Sequence, residues 1–385
     1  MLEVLLPDTG RNLTPYVKGY RLETDYTVAT DGFSLELYSE TPSDLDDLLL
    51  QQVELVVEGA SQLIGRVEVV EASGQGTALR VMGRDYLADL IETHIDPSFT
   101  VAKGETLGSA LARACAPAGI ADVVDDADVG MRDVRSNWGS QGAAPPSGMK
   151  AREAGDLKAE PGMGLFDWAN RVAARVGGAT LQPGRSRTQL VLSKPHYEQS
   201  TRYAIHRRRD NPGATANNVR TSAARQDLSS FPTHVVATGK VGTGGRRKET
   251  ETVSLDTGWA GPDSIAGRLF RGRYSPDDGP RGGTQVYRLH YLRDDESRSE
   301  LELSNLAARR MSEHLRHSLE YTVQLQGFTD PETSAVWAVD TMVDVDDDVR
   351  GVREPLWVAS RSFTYQQGQG AITELKCWRP WSYVI

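Results

Sequence analysis

The densest cluster of groups able to do chemistry is the acidic run Asp344-Val-Asp-Asp-Asp348, with Asp340 just before it. A calcium loop would need glycine where Val349 stands and an acidic residue where Pro355 stands, so the run fails at both fixed points. It reads instead as carboxylates at a strand end, turned to solvent or to a neighbouring subunit. His314 and His317 lie three apart, but no further ligand completes a zinc set around them. Lys240-Val-Gly-Thr-Gly-Gly245 lacks the closing Gly-Lys-Ser/Thr of a phosphate loop and sits between strand patterns, which makes it a hairpin turn. Arg207-Arg-Arg209 and Arg246-Arg-Lys248 are short basic loops suited to solvent or to an acidic protein partner. The pairs Asp125-Asp126 and Asp277-Asp278 fall in loops, where exposure is the default. No nucleophile elbow or His-Glu-x-x-His occurs, so the expectation is no catalytic residue, no cofactor and no metal: a protein that is not an enzyme.

The elements that would carry these groups are mostly strands. Apolar and polar side chains alternate over 16–26, 32–38, 53–57, 63–70 and 79–82, separated by glycine-bearing turns. From about Pro97 the period changes. Leu107, Leu111 and Cys115 recur four apart and predict a short helix, and a second helix spans 165–176 before Gly177-Gly178. Residues 136–164 and 259–283 are rich in Gly, Pro and small polar residues and read as long loops, as does 206–218. Strands at 233–239 and 247–253 flank the Lys240–Gly245 turn. Leu303, Leu306, Ala307, Met311 and Leu315 mark the longest amphipathic helix, after which alternating strands run from Glu320.

The fold class expected is α+β, mainly β: two similar antiparallel β-barrel domains with a small α+β domain and a long helix inserted between them. The boundaries expected are 1–96 for the first barrel and 97–200 for the α+β domain. A linking segment with hairpin and long helix follows over 201–318, and the second barrel completes over 319–385 together with 228–254.

At 385 residues, with 39% hydrophobic and 25% charged, the chain can bury more than one core. A net charge of -10 argues against a protein whose main work is gripping nucleic acid, and no run of about 20 apolar residues predicts a membrane anchor. The start lacks the pattern of a signal peptide, so a protein kept inside the cell that makes it is expected. Cys115 and Cys377 show no disulfide or metal spacing and read as buried thiols.

One internal repetition stands out. A strand, Ser-Gly-Gln-Gly and a strand at 63–82 answer to a strand, Gln-Gly-Gln-Gly and a strand at 357–376, with Gly74, Gln75 and Gly76 matching Gly368, Gln369 and Gly370. Each copy follows a further strand, 53–57 and 342–345. The six matched residues are predicted to be hairpin turns at equivalent corners of two superposable domains. Three chains bearing two such domains each would offer six similar modules about an axis.

The stretch 19–37, Gly-Tyr-Arg-Leu-Glu-Thr-Asp-Tyr through Phe33-Ser-Leu-Glu-Leu37, followed by Val81-Met-Gly-Arg-Asp-Tyr-Leu87, resembles the first barrel of the Mu-type contractile phage baseplate hub, the tail protein D or late control protein D family. Thr106–Ile120, with its Cys115-Ala-Pro117 turn, the helix, glycine and strand of 165–191, and Ser304–Met311 leading into 319–327 are similar to later parts of that family in the same order. The resemblance implies a homotrimeric adaptor that joins a sixfold tail tube, or its initiator protein, to a threefold central spike and forms part of the central channel. It also implies inner baseplate wedge and tape-measure partners, assembly in the host cytoplasm, a place in the virion tail baseplate or an equivalent injection particle, and kinship with the hub part of type VI secretion spike proteins. The alternative is a peptidoglycan-binding or wall-active tail protein, because Phe99–Leu111 is similar to the start of a glycan-binding LysM module.

Overall fold

The computed structural model describes residues 2–38, 45–73, 78–134, 159–209, 217–227, 229, 231–232, 234–239, 250–256, 289–294 and 300–383. The predicted loop at 259–283 and most of the one at 136–164 lie outside the described residues. Contacts divide the chain into two compact units, one of 1–224 with 321–378 and one of 225–320 with 379–384.

The first unit is built on one 13-stranded sheet. Its strands in chain order are β1 (Leu2–Leu6), β2 (Arg11–Asn12), β3 (Val17–Asp25), β4 (Gly32–Tyr38), β5 (Gln52–Val57), β6 (Ala60–Ser73) and β7 (Ala78–Asp85), with a short helix α1 (Leu45–Leu48) before β5. Later come β11 (Tyr203–Arg207), β12 (Val219–Arg225), β16 (Glu320–Gln326), β17 (Met342–Asp347), β18 (Val352–Gln366) and β19 (Gly370–Trp378). The order across the sheet is β12-β16-β19-β18-β3-β4-β7-β6-β5-β1-β2, with β17 beside β18 and β11 beside β17. Alternation explains the faces: Phe33, Leu35 and Leu37 of β4 are buried while Ser34 and Glu36 between them are not.

Two separately closed barrels are not formed, and this corrects the expectation. β18 pairs antiparallel with β3, Phe363 opposite Leu22 and Ser360 opposite Asp25, so the two halves share one open sheet. Both long strands, β6 and β18, change partner partway. β6 pairs with β5 through its first residues and with β7 through its later ones; β18 does the same with β17 and then β19. A bulge sits at each changeover, skipping Glu68 in β6 and Ala359 in β18, as expected where one strand bends away from its first partner.

Within the same unit lies the small α+β core. Helices α2 (Leu87–Glu92), α3 (Leu107–Cys115) and α4 (Leu165–Gly177) accompany a three-stranded sheet of β8 (Asp122–Asp125), β10 (Gln189–Ser193) and β9 (Thr180–Pro183). Thr106 caps α3 by accepting from the Ser109 N–H at 3.4 Å, and Gly178 ends α4 in the left-handed region at φ 60. The α4 stripe Leu165, Trp168, Ala169, Val172 and Val176 packs with Leu107, Leu111 and Cys115 of α3.

In the second unit, β13 (His234–Gly239) pairs with β14 (Thr250–Asp256) and with β15 (Leu289–Asp294) in a sheet of its own. Helix α5 (Glu300–Ser318) lays Leu303, Ala307, Met311 and Leu315 against Phe231, Val235 and Ala237. The strand beside β16 in the large sheet is thus β12, not this hairpin.

Candidate functional site

The charged runs that stood out in the sequence meet each other. Residues 206–207, read as loop, belong to β11, which pairs parallel with β17 and sets Arg207 opposite Asp347 and His206 opposite Asp346. The Arg208 guanidinium donates to Asp346 Oδ2 at 2.8 Å, and the Arg209 N–H donates to Asp348 Oδ1 at 3.1 Å. Asp347 is fully buried. It accepts from Ser222 Oγ at 2.5 Å, from Tyr321 Oη at 3.0 Å and from the Arg350 N–H at 3.0 Å. Asp346, Asp347 and Asp348 are therefore satisfied by protein donors while Asp344 is exposed, and the basic run finds its acidic partner in the same chain. Among the described residues no three His, Cys, Asp or Glu side chains are placed to hold a metal ion.

Other predicted groups are also structural. Asp125 closes a loop by accepting from the Val129 and Gly130 N–H groups at 3.0 and 2.6 Å. His314 is half-buried, its ring 5.2 Å from His290, while His317 is exposed. Burial pushes the Cys115 thiol up to about 12 and the Cys377 thiol up further. The residues behind the glycan-binding resemblance sit in the small core: Leu107 and Leu111 are fully buried, and the Phe99 ring meets Trp168 edge-on at 5.0 Å. Gly368 and Gly370 have φ of 90 and 83, and the Gln369 N–H donates to the Gln366 carbonyl at 3.0 Å in the turn between β18 and β19. Gly74, Gln75 and Gly76 lie outside the described residues, between the paired ends Ser73 and Ala78.

The feature that emerges instead is the join between the two halves of the sheet. Arg361 on β18 is fully enclosed there, its guanidinium donating to Trp337 O at 2.7 Å, Gln62 Oε1 at 2.6 Å and Thr24 Oγ1 at 2.9 Å, and stacking 4.2 Å from the Phe363 ring. Close by, Asp31 and Asp85 form a buried acidic pair. Asp85 Oδ2 accepts from the Asp31 N–H at 2.7 Å and its Oδ1 from the Leu87 N–H, while Asp31 Oδ1 accepts from the Asp25 N–H at 3.1 Å. This gives Gly83-Arg84-Asp85 a structural role at a corner: Arg84 pairs with Glu68 at 2.7 Å and Asp85 fastens the β3–β4 turn to the end of β7.

Burial pushes both carboxyls upward. At Asp31 the neighbouring Asp85 adds to the rise while the Asp25 N–H and Arg361 oppose it; at Asp85 the two backbone donors oppose it. A carboxyl whose pKa is raised by folding contributes stability below the ordinary carboxylate value, about 3.9, and loses it as pH rises through the raised value. The raised values lie near neutrality. The first unit is therefore expected to lose stability between about pH 4 and pH 8, measured by denaturant titration. Asp31→Asn should flatten that slope, and an unchanged slope would show that the pair ionises equally in both states.

Across the join the open face is polar and of mixed charge. Arg21 pairs with Glu23, Arg80 donates to Ser34 at 3.3 Å, and Gln324 bridges Thr221 and Glu374 at 3.1 and 2.9 Å. A groove of about 200 Å³ there is lined by Arg21, Glu36, Arg80 and Thr364. Strand order repeats on either side of the join. β3-β4-β7-β6-β5-β1 on one side answers to β12-β16-β19-β18-β17-β11 on the other, the outermost pair being antiparallel in the first and parallel in the second. The order was hidden in the sequence because β11 and β12 are short and Arg207 of β11 lies in a basic run.

No protein-family model matches the chain, and no curated protein matches its sequence. Solved structures do. A tail protein from Neisseria meningitidis aligns over 99% of this chain and 97% of its own, with 16% identity and a TM-score of 0.68. A 43 kDa tail protein of prophage MuSo2 from Shewanella oneidensis aligns over 100% and 99%, with 16% identity and a TM-score of 0.67. A chain of the Francisella PdpA-VgrG complex aligns over all of this chain and 59% of its own, with 8% identity and a TM-score of 0.53. At these identities the likeness is one of fold: the chain has the fold of phage and prophage tail proteins, along its whole length.

Proposed function

We propose that this chain is the baseplate hub of a contractile tail, a trimeric, non-catalytic adaptor between a sixfold tube and a threefold spike. The observation that carries it is the strand order found twice in one chain, with the two copies lying side by side in a single sheet. Two equivalent half-sheets per chain turn three chains into six near-equivalent modules, which is what a tube-to-spike joint requires. Fold likeness to tail proteins over nearly their full lengths supports the same reading. In it, one tube-like module lies within the domain expected at 1–96, and 319–385 together with β11 and β12 makes the other. Gly74–Gly76 and Gly368–Gly370 are their matching corners, and the mixed-charge face of Arg21, Glu36, Arg80 and Glu374 lines the channel. The tube or its initiator binds one rim, the spike the other, and wedge and tape-measure proteins dock around them, in the virion tail or an equivalent particle. Charge pairs on the channel wall leave little net field to retain passing DNA.

Sedimentation equilibrium of the purified chain tests the reading. A trimer is expected at micromolar concentration and above, and a strict monomer at every concentration, with no threefold density in assembled particles, would overturn it. Retention on purified peptidoglycan would point to the wall-active alternative instead.

A further inference from the structure

We infer that chains associate by pairing the free edge of β12 in one copy with the outer edge of residues 68–73 of β6 in the next, in the register already used inside each chain between β3 and β18. This deepens the proposed ring and rests on that reading. The repeat defines the vacancy. Among the described residues β18 has three neighbours, β17, β19 and β3, whereas its counterpart β6 has the two corresponding to β17 and β19, namely β5 and β7. The missing third neighbour corresponds to β3, whose counterpart is β12, and among the described residues β12 ends the strand order with no partner on its far side. The sheet formed by the described residues does not close on itself, so each chain offers one edge and lacks one strand. Such head-to-tail complementarity generates a ring when the rotation closes. Left uncovered, the β6 edge would expose Val69, 40% accessible, beside unpaired backbone, a liability for aggregation.

The register follows from two landmarks. Superposing the bulges sets Ser360 on Val69, hence Ser362 on Glu71 and Phe363 on Ala72, and Glu374 on Arg80. The side chains of Thr221, Gln324 and Glu374 are hydrogen-bonded in a row across β12, β16 and β19; reading that row as facing residues lays it over the paired Gly19, Glu36 and Arg80, which puts Thr221 in the place of Gly19 and Ala224 in that of Leu22. Since Leu22 faces Phe363 and Glu23 faces Ser362 within the chain, Ala224 faces Ala72 and Arg225 faces Glu71 between chains. Charge played no part in this mapping, yet it brings opposite charges together. Arg225 has an exposed side chain, bridged at 3.5 Å to Asp227, and Glu71 is exposed.

The test is the full chain carrying Ala72→Cys and Ala224→Cys together, treated with mild oxidant and with a short bis-maleimide; the native Cys115 and Cys377 are buried and do not compete. The double variant is expected to give a covalent ladder ending at a closed trimer, and either single variant none. Glu71→Arg should weaken association about two- to fivefold, with recovery on adding Arg225→Glu. A trimer by sedimentation that neither crosslinks nor responds to the charge exchange would overturn the seam while leaving the ring reading intact. A chain that never associates would overturn the ring, and the seam with it.

Discussion

Arg361→Ala is expected to lower the stability of the first unit by about 3–5 kcal/mol, the cost of breaking a buried charged network by removing one member. Arg361 is 3% exposed, and loss of its guanidinium strands Gln62 Oε1, Trp337 O and Thr24 Oγ1 without this donor while removing a positive charge that acts on Asp31. Burial already pulls the Arg361 pKa down to about 10, with Asp31 the first group opposing that fall. Arg361→Lys should recover only part of the loss, because a single ammonium cannot reproduce the planar fork. Denaturant unfolding followed by tryptophan fluorescence reads the effect, since Trp337 and Trp357 are fully buried in this unit. A loss under about 1 kcal/mol would mean that water replaces the guanidinium at no great cost and that the join is not held by this residue.

Gly83→Ala is expected to be nearly as damaging, at or above the upper end of the roughly 1–3 kcal/mol typical of overpacking. A Cβ at Gly83 would lie 1.9 Å from the Arg66 carbonyl oxygen and 2.7 Å from the Phe33 ring. The nearer atom is backbone of the neighbouring strand, at the bulge where β6 changes partner, so no rotamer change relieves it. Gly32→Ala on β4 is the control. It meets nothing nearer than 3.9 Å and should unfold close to the parent, within about 1 kcal/mol. Equal behaviour of the two variants would show that β6 and β7 can separate locally without loss.

Much of the fold could be read from periodicity. Phe33, Leu35 and Leu37 announce β4 by strict alternation, and Leu165, Trp168, Val172 and Val176 announce α4 by helical spacing. What could not be read was which strand meets which. A bulge does not change the period of two, so β6 and β18 look like uninterrupted strands even though each exchanges one neighbour for another at Glu68 and Ala359. The single sheet in place of two closed barrels follows from that exchange. β11 was hidden because Arg207 lies in a basic run, and only its pairing with β17 explains why three arginines and a row of aspartates coexist. The groups at the join were missed for a related reason. Asp31, Asp85 and Arg361 belong to types that are exposed by default, and nothing in their sequence neighbours marks them as enclosed. Gly83-Arg84-Asp85 was legible as a family-like signature but not as a corner.

The pairing of β3 with β18 carries a cost in time. Thr24 and Arg361 are 337 residues apart in the chain yet hydrogen-bonded in the folded unit. During synthesis at about 5–20 residues per second, β3 waits on the order of 20–70 seconds before its permanent neighbour exists. Throughout that interval a nascent chain presents, on β3, the same kind of open edge that β12 has among the described residues of the finished chain. A second nascent chain on the same message could therefore supply the wrong strand, and yield of the native fold should depend on how far apart ribosomes are spaced.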